Sequence, residues 1–162
     1  MHGPSGVVSG QSALRLLDPP LTHPDVAEAR PHARPARGGP SGWIVLDEPE
    51  LRLGADIVTP GLAGWRREAM PNVPRGPFVT LAPGWVADGP SLGHDRSESL
   101  ALYARHGVGY LWWVVGARQT LEVLRHDGSQ WRTLAVHRGQ AVVRAEPFSS
   151  LELPLAQLWA GL

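Results

Sequence analysis

Residues 85–115 read WVADGPSLGHDRSESLALYARHGVGYLWWVV. Three patterns follow one another in this stretch. Residues 85–87 form a short apolar run after the turn pair Pro83-Gly84, as at the start of a strand. Over residues 97–106 the period changes: Leu100, Tyr103 and Ala104 stand at i, i+3 and i+4, the spacing of one helix face. Asp95 is placed to cap that helix and Gly107 to end it. Tyr110 to Val115 is then continuously apolar, which suits a strand buried on both faces. Strand, helix and strand in succession imply a crossover connection. The expected class is therefore α/β (α+β), a mixed β-sheet core with one main crossover helix.

Upstream, residues 42–46 (GWIVL), 50–53 (ELRL) and 55–59 (ADIVT) read as strands, the second by its polar–apolar alternation. Pro60-Gly61 breaks the third, and prolines at 71, 74 and 77 predict a loop over residues 61–77. A further short apolar segment spans residues 78–81. Downstream, residues 119–125, 131–137 and 141–145 read as strands at hairpin spacing, the first two joined by the turn signal Asp127-Gly128. Residues 153–162 predict a short closing helix. Trp112 and Trp113, adjacent on one strand, must point to opposite faces and so read as core. Residues 1–41 differ: prolines at 24, 31, 35 and 40 forbid a continuous helix there. They read as a poorly ordered or degenerate N-terminal arm before a domain over residues 42–162.

The 162 residues are enough for one domain with a sizeable core, and 43% are hydrophobic. There is no cysteine, which excludes disulfides and thiolate metal sites and fits a reducing cytoplasm. All 15 basic residues are arginine. No lysine can therefore act as nucleophile, Schiff base or phosphate clamp. The formal net charge is zero, so any nucleic-acid contact must come from a local patch. No apolar run approaches the roughly 20 residues of a membrane span, and no secretion signal is expected.

The chemistry rests on acids at strand ends, because a divalent cation needs carboxylate oxygens on rigid elements. Asp56 sits within an apolar strand (ADIV), and Asp88 ends the next clear one (WVAD). On neighbouring strands the two could share one Mg²⁺ that polarises a phosphoryl oxygen and activates water. The plain alternative is that Asp56 serves a turn and Asp88 opens a loop. His94 with Asp95 is either a metal pair or a solvated helix start. Arg66-Arg67 either touch phosphate, with Trp65 stacking on a base, or form an ordinary loop beside a core tryptophan. Arg30, Arg34 and Arg37 of the arm could hold DNA or lie in a plain disordered tail.

Several separated blocks carry a family resemblance. They are residues 46–68 (LDEPELRLGADIVTPGLAGWRRE), Met70-Pro71, residues 82–88 (APGWVAD), residues 95–108 (DRSESLALYARHGV), residues 111–114 (LWWV) and residues 118–124 (RQTLEVL). Together, in this order, they resemble the Uma-two family of restriction-endonuclease-like proteins within the PD-(D/E)XK nuclease superfamily. The resemblance runs from about residue 38 to the C-terminus. It implies a Mg²⁺- (or Mn²⁺-) dependent nuclease acting on DNA, with Asp56 as first metal-binding aspartate and Asp88 at the second acid, usually glutamate. It leaves a homodimer open. Family members then carry a lysine on the following helix, in a pattern like D-R-x-x-K-L-x-x-Y. Here that pattern falls on Asp95, Arg96, Ser99, Leu100 and Tyr103, so Ser99 occupies the lysine position. The segment at residues 89–94 is shorter than its family counterpart, and the family's N-terminal helix has no convincing counterpart in residues 1–41. Serine neither orients water nor stabilises phosphoryl charge as lysine does, and Arg96, one helical turn away, is the nearest cation. Two readings follow: an impaired nuclease, or an inactive relative that binds nucleic acid or protein.

Overall fold

The computed structural model describes residues 34–35, 42–90 and 95–160. The remainder of the N-terminal arm, residues 91–94 with His94, and residues 161–162 lie outside them. The strands are β1 (Arg34–Pro35), β2 (Trp43–Asp47), β3 (Leu51–Leu53), β4 (Asp56–Val58), β5 (Leu62–Arg66), β6 (Trp85–Asp88), β7 (Tyr110–Val115), β8 (Thr120–His126), β9 (Trp131–Arg138), β10 (Val142–Val143) and β11 (Leu153–Pro154). The helices are α1 (Arg96–Arg105) and α2 (Leu155–Trp159).

Seven strands form one sheet in the order β1-β2-β5-β6-β7-β8-β9. All neighbours pair antiparallel except β6 and β7, which run parallel, with α1 as the crossover between them. The expected α+β class with one crossover helix is what the chain adopts. Helix α1 begins where the capping signal placed it. The Asp95 carboxylate accepts the Glu98 N–H, and the Glu98 carboxylate accepts the Asp95 N–H in return. Gly107, at φ +81°, supplies the left-handed residue that stops it.

The central strands of the sheet are buried on both faces, and strand alternation sorts their residues between two cores. Trp43, Val45, Leu62, Trp85, Ala87, Trp112, Val114, Leu121 and Val123 face one core, closed by Phe148, Leu155, Leu158 and Trp159 of the C-terminal segment. Ile44, Leu46, Ala63, Trp65, Val86, Leu111, Trp113 and Leu124 face the other, closed by Leu102 and Tyr103 of α1 and by the β3–β4 hairpin. Trp112 and Trp113 thus split between the two cores as alternation requires. The hairpin is pinned by Leu51 and Leu53, both buried; each contributes about 1.5–3 kcal/mol of burial.

Two expectations change. The segment over residues 61–77 is not wholly a loop, because Leu62–Arg66 is a central strand between β2 and β6. Its sequence, LAGWR, has no β-branched residue and carries Gly64, so local preference argues against a strand. Tertiary packing demands that glycine. A Cβ at Gly64 would lie 3.0 Å from Trp85 Cε3 and 3.3 Å from Trp43 Cε3. Second, β4 pairs with β3 alone, so Asp56 and Asp88 do not stand on neighbouring strands. Arg34–Pro35, inside the stretch read as an arm, pair with Leu46 and Asp47 at the sheet edge.

Candidate functional site

Asp88 is the last residue of β6 and points to the α1 side of the sheet, since Val86 two positions earlier does so. Its Oδ1 accepts the N–H of Gly89 at 2.9 Å. Its Oδ2 accepts the phenol of Tyr103, on α1, at 2.8 Å. Tyr103 is only 1% exposed. Burial first, then the charge and hydrogen bond of Asp88, push its phenol well above the ordinary tyrosine range. The phenol therefore stays protonated and donates to the carboxylate at neutral pH.

Ser99 lies on the same helix face, four residues before Tyr103, and is buried. The helix thus presents a small neutral hydroxyl at the position where the family resemblance expects a lysine. Arg96, three residues earlier on the same helix, is committed elsewhere. Its Nε and Nη2 donate to both carboxylate oxygens of Glu122 on β8, at 2.9 and 2.7 Å. Glu122 also accepts the hydroxyl of Thr133 at 2.7 Å. Burial raises the Glu122 carboxyl, but Arg96 and Thr133 outweigh it and the net shift is downward.

Asp56 belongs to another neighbourhood. Its carboxylate accepts Arg105 Nε at 3.2 Å and Nη2 at 3.3 Å, and lies 2.7 Å from His106 Nε2. The hydrogen bonds of Arg105 and His106 hold its carboxyl below the ordinary aspartate range. These partners sit at the C-terminal end of α1. Tyr103 lies nearer the middle, and its side chain leans toward the helix N-terminus. Ser99 and His106, seven residues apart, are separated by about 10 Å along the axis. The structure therefore ties Asp88 to α1 through Tyr103, and Asp56 through Arg105 and His106, two and three residues further on. In the register that pairs Leu62 with Ala87, the next position across from Asp88 is Gly61, which has no side chain to add.

The remaining candidates resolve simply. Asp95 is a helix cap. Trp65 is buried and donates its indole N–H to Leu81 O at 2.9 Å, so it is a core residue and not a stacking platform. Among the described residues, no group of three or more histidines, aspartates or glutamates could hold a metal ion. No helix among them is long and apolar enough to cross a membrane. Sequence reasoning gave no role to Tyr103 or Glu122. Both carry a signal in retrospect: Tyr103 shares the buried face of α1 with Ser99, and Glu122 is an acid between the apolar residues Leu121 and Val123.

Residues 31–156 match the Uma2 family, described as "Putative restriction endonuclease". A crystal structure from Anabaena variabilis, titled as a "putative nuclease", is similar with a TM-score of 0.60 at 18% sequence identity, over 93% of this chain and 78% of that one. No curated protein matches the chain.

Proposed function

From the membership of this chain in the Uma2 family of restriction-endonuclease-like proteins, we propose that it is a nuclease-fold domain in which metal-dependent hydrolysis of DNA is impaired or lost. One observation carries the reading. The two acids that would hold the metal are engaged separately, Asp88 by Tyr103 and Asp56 by Arg105 and His106. Mg²⁺ and Mn²⁺ take a compact set of oxygens, with one or two carboxylates converging on a single point. Here the Asp56 oxygens already meet a guanidinium and an imidazole, and Asp88 faces a phenol and Gly61. This donor set does not fit one shared divalent ion, and no step of the reaction is derived through one.

Ser99 supports the same reading. A lysine there would place positive charge beside a phosphoryl group, and loss of one such electrostatic group costs about 10²–10³ in rate. Arg96 does not restore it while it bridges Glu122. The Asp88–Tyr103 pair instead acts as a polar tie between β6 and α1, consistent with a fold kept while its chemistry decays.

The test is cleavage of supercoiled plasmid and single-stranded DNA by the purified protein in Mg²⁺ and in Mn²⁺. Asp56→Ala and Asp88→Ala are measured alongside. Nicking no faster than in either variant supports the proposal. Robust cutting that disappears with Asp88→Ala would overturn it.

A further inference from the structure

The sheet has two unlike ends. At the end where β6 finishes stand Asp47, Glu48, Asp88, Glu98 and Glu122, with Arg34 across from Asp47 on β1, Arg96 bridging Glu122, and Arg118 and Arg138 at the β8–β9 corner. At the opposite end, where β6 begins, the acids Asp56 and Asp127 are each bridged to an arginine, Arg105 and Arg132. That leaves Arg66, Arg67 and Arg125 exposed there, and none has an ion-pair partner among the described residues. Glu68 is next to Arg67 in the chain and is also exposed.

Two of these arginines are built alike. Arg66 lies over the Trp43 ring at 4.7 Å, and Arg125 lies over the Tyr110 ring at 5.9 Å. Trp43 and Tyr110 both pack into the core on the face opposite α1, so the two guanidiniums share a face as well as an end. The strand order β5-β6-β7-β8 separates them by three strand spacings, about 14 Å. At ~3.4 Å of helix axis per base-pair step, that span is about four steps of a duplex. A guanidinium resting on an aromatic ring is held in place while its N–H fork stays free. It thus loses little freedom on binding a phosphate.

We propose that Arg66 and Arg125, with Arg67 beside them, form a surface that binds the phosphate backbone of a nucleic acid at the sheet end opposite Asp88. Charge points to this end, because its three arginines without an ion-pair partner among the described residues attract a polyanion. The site differs from the one at Asp88, so it does not depend on the chain's capacity to cleave.

The test is fluorescence anisotropy of labelled duplex and single-stranded oligonucleotides, titrated in KCl without divalent metal. Arg66→Gln with Arg125→Gln keeps much of each aliphatic stem over its ring. The double variant should weaken binding by roughly tenfold per arginine. It should also flatten the log–log salt dependence by about 0.9 per arginine on duplex. Arg66→Lys with Arg125→Lys should retain most of the salt slope, which separates lost charge from lost packing. Arg118→Gln with Arg138→Gln at the other end should leave affinity within about twofold, below the scale of one phosphate contact. Four results would overturn the proposal: no binding by the wild-type protein, an unchanged slope in the glutamine variant, an equal loss from Arg118 and Arg138, or tighter binding to an acidic peptide or anionic vesicles than to nucleic acid.

Discussion

Tyr103→Phe should remove a specific alkaline weakness of the fold. The phenol is buried, and Asp88 accepts its proton at 2.8 Å. Burial and the adjacent carboxylate raise its folded pKa well above the ordinary value of 10.0. Stability changes with pH by the difference in protons bound by the unfolded and folded chains. Below pH 10 both forms keep the phenol proton, and the contribution of Tyr103 is constant. Above pH 10 the unfolded chain releases the proton while the folded chain retains it. Stability then falls as pH rises toward the folded value, by about 1.4 kcal/mol at pH 11. The window is clean because the chain has no lysine and no cysteine, and Tyr110 is the only other tyrosine. At pH 8 the variant loses a hydrogen bond to a half-buried carboxylate, about 1–2 kcal/mol. Urea unfolding followed by tryptophan fluorescence at pH 8, 9, 10 and 11 measures both effects. The gap between wild type and variant should hold to about pH 9.5, then shrink by more than 1 kcal/mol by pH 11. A constant gap across the whole range would refute the assignment of a neutral, buried phenol donating to Asp88.

Three further outcomes follow from the packing and the charges. Gly64→Ala should destabilise by about 1–3 kcal/mol in chemical denaturation, because its new methyl meets two tryptophan rings that the core holds fixed. Asp95→Ala should cost about 1 kcal/mol and lower the melting temperature, through loss of the carboxylate that accepts the Glu98 N–H. Arg96→Ala should cost about 0.5–1 kcal/mol at pH 7. Glu122 has a depressed folded pKa, so its contribution is present above its unfolded value and is lost as pH falls through the folded one. The difference between wild type and Arg96→Ala should therefore narrow in acid, and a difference that widens below pH 4 would contradict the pairing.

Local pattern was enough for α1 and its cap, for β7 with its two opposed tryptophans, and for the β8–β9 hairpin, because each is specified by spacing within a few residues. It failed at β5, where glycine and the absence of β-branched residues disguise a strand that long-range packing makes central. The candidate site shows the same division. The sequence identifies Asp88 at a strand end and Ser99 on the following helix, since both positions follow from periodicity and the family pattern. It does not reveal that Asp88 is held by Tyr103, that Arg96 is drawn to Glu122 26 residues away, or that Asp56 joins Arg105 and His106 across 49 and 50 residues. Those partnerships are set by how the β3–β4 hairpin and β8 lie beside α1. Composition alone determined the absence of lysine and cysteine and the balance of charge, and so the chemistries closed to this chain. Only the tertiary structure decided which charges cancel and which remain, because strand order and register, not sequence distance, bring side chains into range.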